Sequence, residues 1–211
     1  MIIIDFDDTL FDTQGFKHEL VRSLESLGIS AELFWQTYNE ARMLTDGNFS
    51  YSFERHARIL ERQGFDYDKV LQNFSLVKAK VKYFLFSDTI DFLESLKKSG
   101  HDLYLLSLGD SNFQKLKLEQ CGIEKYFKQV FFRGKDKELV VKEILDKNKK
   151  SDIFFINDKI KENLKIKNYF SQIKIILKQN SSLDEDKYKN SGLVFFKTLT
   201  KIKEYVTDKL K

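Results

Sequence analysis

The segment Ile2-Ile3-Ile4-Asp5-Phe6-Asp7-Asp8-Thr9-Leu10 decides how this chain folds. Three consecutive β-branched residues without a polar neighbour favour an extended conformation, and an apolar run of this kind suits a strand that is covered on both faces. Three carboxylates then crowd the strand's carboxyl end, at Asp5, Asp7 and Asp8. Their mutual repulsion is costly unless a cation or the chemistry of a substrate offsets it.

Further apolar runs lie outward from this segment, at Leu103–Leu106, Val130–Phe132, Ile153–Ile156, Ile173–Leu177 and Leu193–Phe196. Helical spacing fills the intervals between most of them: Ile90, Phe92, Leu93 and Leu96; Phe113, Leu116 and Leu118; Leu139, Val140, Val141, Ile144 and Leu145. Such alternation predicts an α/β architecture in which a parallel sheet carries helices on both faces. Between Gly15 and Phe86 no strand run occurs. Amphipathic patterns recur there instead, including Leu20, Val21, Leu24 and Leu27, then Phe53, Ala57 and Leu60. Residues 1–14 and 87–211 are thus expected to form the core, with 15–86 as a helical insertion joined to it by two linkers. Ser181–Gly192 reads as a polar loop, Asp146–Lys150 as a Lys/Asn-rich turn, and Thr198–Lys211 as a closing helix.

Composition narrows the class. Of 211 residues, 42% are hydrophobic and 14% aromatic, too many for a disordered chain, while a mean hydropathy of −0.42 is too low for a membrane protein. No apolar run approaches the ~18 residues that a spanning helix needs. The 36 basic and 32 acidic residues leave a net charge of +4, with both signs interspersed, so neither nucleic acid nor membrane is an expected partner. Cys121 is the single cysteine, which excludes an internal disulfide and a multi-cysteine zinc site. His18, His56 and His101 have no ligand spacing. The acid-broken N-terminus reads as a strand rather than a secretion signal, and a cytoplasmic protein is expected.

Polar groups at the ends of later strands could join the first acidic cluster. Leu103–Leu106 runs into Ser107, Ile153–Ile156 runs into Asn157-Asp158, and Lys135 and Lys137 precede an amphipathic helix. In open parallel sheets, ligands bind beyond the carboxyl ends of the strands, so these groups can converge on one site. Asp110 reads as a helix cap. Arg42, Arg55 and Arg58 lie in the insertion and could either reach a substrate or form a solvated face, whereas Phe34, Trp35 and Tyr38 have the spacing of a small core.

In these motifs the chain resembles the haloacid dehalogenase superfamily of phosphohydrolases. Asp5, Asp7, Thr9 and Leu10 match its strand-Asp-x-Asp-x-Thr-Leu motif, Ser107 matches its second motif, Lys135 or Lys137 its third, and Asp158 with Glu162 its fourth, over about Met1 to Leu177. The resemblance implies a Rossmann-like core, a helical cap at 15–86, and a Mg²⁺-dependent hydrolase of a small phosphorylated metabolite such as a sugar phosphate or nucleotide. Asp5 would be the nucleophile that forms an aspartyl phosphate. Asp5, Asp158 and the backbone carbonyl of Asp7 would hold the metal, while the Asp7 carboxyl would serve as acid and base. Ser107 and one of the two lysines would grip phosphoryl oxygens, and Glu162, where Asp is more usual, would be either a residue behind the metal ligands or a surface acid. A phosphomutase and a non-catalytic phosphate-binding module are the alternatives. Dehalogenation is disfavoured because a halide leaving group needs no acid, and Asp7 is present.

Overall fold

Ile2–Ile4 forms β1, near the middle of a six-stranded, wholly parallel sheet of order β3-β2-β1-β4-β5-β6, in the computed structural model. The structure describes residues 1–43, 50–148, 152–180 and 182–209. The other strands are β2 (Leu103–Leu108), β3 (Gln129–Arg133), β4 (Ile153–Asn157), β5 (Ile173–Lys178) and β6 (Val194–Phe196). Ile2 and Ile4 enter one apolar cluster and Ile3 the other, on opposite faces of the sheet, so β1 is covered on both sides. That accounts for its unbroken apolar run.

The described helices are α1 (Thr13–Glu25), α2 (Ala31–Arg42), α3 (Phe53–Glu61), α4 (Tyr67–Lys78), α5 (Thr89–Lys98), α6 (Ser111–Cys121), α7 (Lys137–Lys147), α8 (Ile160–Tyr169), α9 (Glu185–Lys189) and α10 (Leu199–Asp208). α7 and α8 contribute to the cluster under Ile3, whereas α5 and α10 lie under Ile2 and Ile4. The chain moves outward from β1 to β2 and β3, then crosses back to β4 on the other side. The switch point therefore falls at β1 and β4, where Asp5 and Asp158 emerge.

The first linker runs antiparallel to the second: Asp12 N donates to Phe84 O at 2.7 Å, and Phe86 N donates to Leu10 O at 3.1 Å. α1 begins at Thr13, earlier than the expected boundary at Gly15. The glycine has another purpose, since Asp12 caps α1 by accepting from Gly15 N at 2.8 Å, and a Cβ on residue 15 would lie 2.3 Å from Asp12 Oδ2. Leu139 and Ile90, expected to face inward, are exposed. The 181–192 stretch is not wholly a loop. It contains α9, whose Tyr188 is fully buried and accepts from Asn180 N at 2.9 Å. Residue 181, residues 149–150 of the expected turn and residues 210–211 of the closing helix lie outside the described residues.

Helices α2, α3 and α4 share an aromatic core around His56, which is fully buried among Phe34, Tyr38, Tyr51 and Phe74. Thr37 Oγ1 donates to Leu33 O at 2.8 Å and lies 2.9 Å from His56 Nε2, while Tyr51 Oη lies 3.0 Å from Nδ1. This network assigns the proton to Nε2 and lets Nδ1 accept from Tyr51, so a neutral ring is fully satisfied. Burial pushes the imidazole down to about 4. The unfolded chain, titrating near 6.5, takes up a proton that the folded chain refuses. Stability is therefore complete above about pH 6.5 and falls as pH drops to about 4, by about 3 kcal/mol for this group. Urea unfolding across this window should show that loss in the wild type and a correspondingly shallower slope in His56→Gln. Parallel pH curves for the two proteins would show that His56 is not the group responsible.

Candidate active site

Asp5 follows directly on β1, and its amide donates to Ile156 O of β4 at 2.9 Å, which fixes the carboxylate beyond the sheet edge. Lys137, at the start of α7, reaches it with Nζ 2.6 Å from Asp5 Oδ1. The same ammonium lies 2.8 Å from Glu162 Oε2 and donates to Asn157 Oδ1 at 3.3 Å. Burial raises the Asp5 carboxyl, and the Lys137 ammonium opposes that shift. Burial also works against charge on Lys137, but Asp5 and Glu162 hold it above the ordinary lysine value.

Lys135 is exposed and forms no ion pair or hydrogen bond with Asp5 among the described residues, so the structure brings only one of the two candidate lysines to the carboxylate. The residue between them decides which. Asp136 has φ 62°, a left-handed conformation that reverses the chain just before α7 and leaves the two lysines pointing differently. Glu162 is placed on Lys137, and its other oxygen lies 3.3 Å from Lys159 Nζ. It acts here as a partner of cations.

Asp158 is buried at the end of β4. Asn180 Nδ2 reaches its Oδ2 at 3.5 Å, whereas Oδ1 is buried with no hydrogen-bond partner. Burial, with the negative charge of Asp5 next in importance, pushes this carboxyl up to about 8. An orphaned carboxylate oxygen beside a second carboxylate is the donor set that a hard divalent cation satisfies. No group of three or more His, Cys, Asp and Glu side chains is arranged to hold a metal among the described residues. A site on Asp5, Asp158 and a backbone carbonyl, as expected of Asp7, does not require one. Ser107 Oγ, in β2, is likewise fully buried and without a partner.

Asp7 points elsewhere and has its own cation. Lys117 Nζ lies 2.5 Å from Asp7 Oδ1, Thr13 Oγ1 donates to the same oxygen at 2.7 Å, and Gln114 Nε2 donates to Oδ2 at 2.6 Å. Burial works against the ionised form, but Lys117 above all holds Asp7 down at about 2. Neither Lys117 nor Gln114 was expected from the sequence. The spacing of Phe113, Leu116 and Leu118 suggested that Leu116 faces inward, whereas Gln114 and Lys117 are buried and Leu116 is only partly so. Gly109 makes room for Gln114: at φ 138°, a Cβ there would meet Gln114 Nε2 at 2.8 Å. Asp110 caps α6 as expected, accepting from Phe113 N at 2.9 Å, and also accepts from Ser50 Oγ at 2.6 Å.

A cavity of about 310 Å³ opens beside Asp7, walled by Lys17, Tyr38 and Arg42 from the inserted helices and by Lys117 and Phe113 from α6. Of the three candidate arginines Arg42, Arg55 and Arg58, Arg42 lines it. Arg55 donates to Ala41 O and Ser50 O, and Arg58 pairs with Glu61 over the Tyr67 ring.

A family model for haloacid dehalogenase-like hydrolases matches residues 1–167, and the chain belongs to that family. Its fold is similar to that of a protein from Burkholderia xenovorans LB400 described as a haloacid dehalogenase-like hydrolase, with TM-score 0.77 and 17% identity over 100% of this chain and 97% of that one. A HAD-hydrolase from Bacillus subtilis, described as bound to magnesium, gives TM-score 0.56 and 16% identity over 91% and 98%. A protein from Clostridium acetobutylicum called a predicted phosphatase gives 0.60 and 20% over 98% and 97%. At these identities the likeness is one of fold. Comparison with curated protein sequences finds no match.

The orphaned Asp158 oxygen gives a test that needs no turnover. Mg²⁺ should raise the melting temperature of the metal-free protein, corresponding to about 2.7 kcal/mol at a hundredfold excess over Kd. Asp158→Asn should abolish that shift, while the metal-free variant melts no lower than the wild type because the carboxyl it replaces is buried beside Asp5 with an oxygen that has no partner. Retention of the full shift would place the cation elsewhere.

Proposed function

We propose that this hydrolase is a Mg²⁺-dependent phosphomonoesterase of small phosphorylated metabolites, a sugar phosphate or nucleotide, working through an aspartyl phosphate on Asp5. One observation carries the reading: two carboxylates two residues apart are held by different cations, Asp5 by Lys137 and Asp7 by Lys117, which separates a nucleophile from an acid and base.

Asp5, Asp158 and the backbone carbonyl of Asp7 would hold Mg²⁺, which supplies positive charge where an anionic nucleophile meets a phosphoryl dianion. Asp5 Oδ2 receives only a long hydrogen bond, 3.4 Å from the Thr9 hydroxyl, and is the freer oxygen for attack on phosphorus. The partnerless Ser107 hydroxyl donates to a phosphoryl oxygen, and Lys137 neutralises a second. As the P–O bond to the substrate breaks, the Asp7 carboxyl delivers a proton to the departing oxygen. It then removes a proton from the water that attacks phosphorus and frees Asp5. In the arrangement seen, Asp7 is ionised against Lys117, so loading it with a proton accompanies its release from that ammonium. Residues 15–86 act as a cap that excludes water and selects the leaving group.

The assay is release of p-nitrophenol from p-nitrophenyl phosphate by the full chain with Mg²⁺. Chelation or Asp5→Asn should abolish turnover, and no turnover by the wild type would favour a phosphate-binding module instead. Lys137→Ala should lower kcat/KM by about a hundredfold or more, and Lys135→Ala by less than about twofold.

The two carboxylates are separated by pre-steady-state kinetics. p-Nitrophenolate leaves without protonation, so Asp7→Asn should give a burst of p-nitrophenol followed by a slow steady rate, while Asp5→Asn gives no burst. Continued turnover of Asp7→Asn without phosphoenzyme would mean direct attack by water.

A further inference from the structure

The cavity beside Asp7 is unbalanced in its hydrogen bonding. Each acid that lines it already has donors: Asp7 from Lys117, Thr13 and Gln114; Asp8 from Thr13 N at 3.1 Å and Gln14 Nε2 at 3.0 Å; Asp110 from Phe113 N and Ser50 Oγ. Lys17, on the inward side of α1, is the reverse case. Its ammonium takes part in no ion pair or hydrogen bond among the described residues and stands 5.8 Å from the centre of the Tyr38 ring. The Arg42 guanidinium stands over the same ring at 5.4 Å, so two cations converge on one aromatic wall. Burial lowers the Lys17 ammonium from its ordinary value, Asp8 pulls it back up, and Arg42 again disfavours the charge. A half-buried cation without an acceptor, next to a like charge, is a position that an anion would stabilise.

The position in the site says which part of a substrate that anion belongs to. Phosphoryl oxygens are accounted for by Ser107 and Lys137 on the Asp5 side, and Asp7 lies where the leaving oxygen departs. Lys17 and Arg42 share the cavity with Asp7 and therefore face the leaving group. We propose that Lys17, with Arg42 beside it, binds a second anionic group on the leaving group, so that the substrates are small phosphomonoesters that also carry a carboxylate or a second phosphate. A volume of about 310 Å³ suits a leaving group of a few carbon atoms. Tyr38 packs against its carbon skeleton while the two cations reach its far end. The inference rests on the phosphomonoesterase reading and narrows its substrate.

Matched substrates test it with the full chain and Mg²⁺. Glycerol 3-phosphate against 3-phosphoglycerate isolates the carboxylate, and propanediol monophosphate against propanediol bisphosphate isolates the second phosphate. One anionic member should exceed its neutral counterpart in kcat/KM by about tenfold or more, as expected for a charge-assisted hydrogen bond, and the pair that shows it identifies the anion. In Lys17→Met that ratio should collapse towards one, mainly through KM, and Lys17→Arg should restore most of it. Wild-type ratios near one in both pairs, with p-nitrophenyl phosphate still hydrolysed, would overturn the inference and leave the hydrolase reading standing. A ratio that survives in Lys17→Met would overturn it as well. Absence of turnover on every phosphomonoester would remove the hydrolase reading, and the inference with it.

Discussion

The buried ion pair between Asp5 and Lys137 is the constraint around which the rest of this protein is arranged. Both side chains are 4% exposed or less, and they come from residues separated by nearly two thirds of the chain. Taking each charge out of water is expensive, and their attraction repays it only with good geometry and further hydrogen bonds. Those are supplied by Glu162 and Asn157 around the ammonium. A pair of hydrophobic residues would fill the same space with less difficulty. Keeping the charges makes physical sense where a nucleophilic carboxylate must stay available and a phosphoryl anion needs a fixed cation.

Sheet topology makes the pair possible. β1 lies between β2 and β4, so Asp5 emerges at the switch point with Ser107 on one side and Asp158 on the other. α7 returns from β3 on the opposite face from α5 and carries Lys137 back to the same edge. Asp7 is turned towards α6 instead, where it meets Lys117, whose ammonium stands 5.1 to 5.6 Å from the ring centres of Phe6, Phe11 and Phe113. Two residues of sequence thus separate two electrostatic environments, one that sets Asp5 against the buried Lys137 ammonium and one that keeps Asp7 ionised against Lys117.

What could be read from the sequence follows from what each residue depends on. Asp5, Ser107 and Asp158 are placed by strand ends, and strand ends are announced by apolar runs, so both the sheet and these residues were visible. Lys137 was not separable from Lys135 because the helix pattern tolerates either. The choice is made by the left-handed backbone at Asp136, a non-glycine position that carries no strong sequence signal. Lys117 and Gln114 were hidden for a different reason. Hydrophobic periodicity finds the apolar side of a helix, and on α6 the inward side at these two positions is polar. The usable signal was their spacing, three residues apart and in phase with Phe113 and Leu118. The requirement for Gly15 is local, the close approach of Asp12 in the cap of α1, and is not legible without the structure.

Asp7 also connects the first of the inserted helices to α6. Its three side-chain partners come from two bodies of structure: Thr13 opens α1, on the insertion side of the first linker, while Gln114 and Lys117 belong to α6 of the core. Ser50 reaches across the same gap to Asp110 at the start of α6. The linkers themselves are a short antiparallel pair, tied to the core by Thr89 Oγ1 donating to Leu10 O at 2.8 Å. A rotation about that pair would move Thr13 relative to Lys117 and so change the partners that hold Asp7 ionised. The position of the inserted helices and the readiness of Asp7 to take a proton are therefore physically linked through a single carboxylate. Lys17 and Arg42 lie on those same helices, so on the proposed reading a leaving group that engages them would bear on the helix carrying Thr13. On the proposed reading, substrate selection and acid-base chemistry would share one mechanical element, with no need for a separate signal between them.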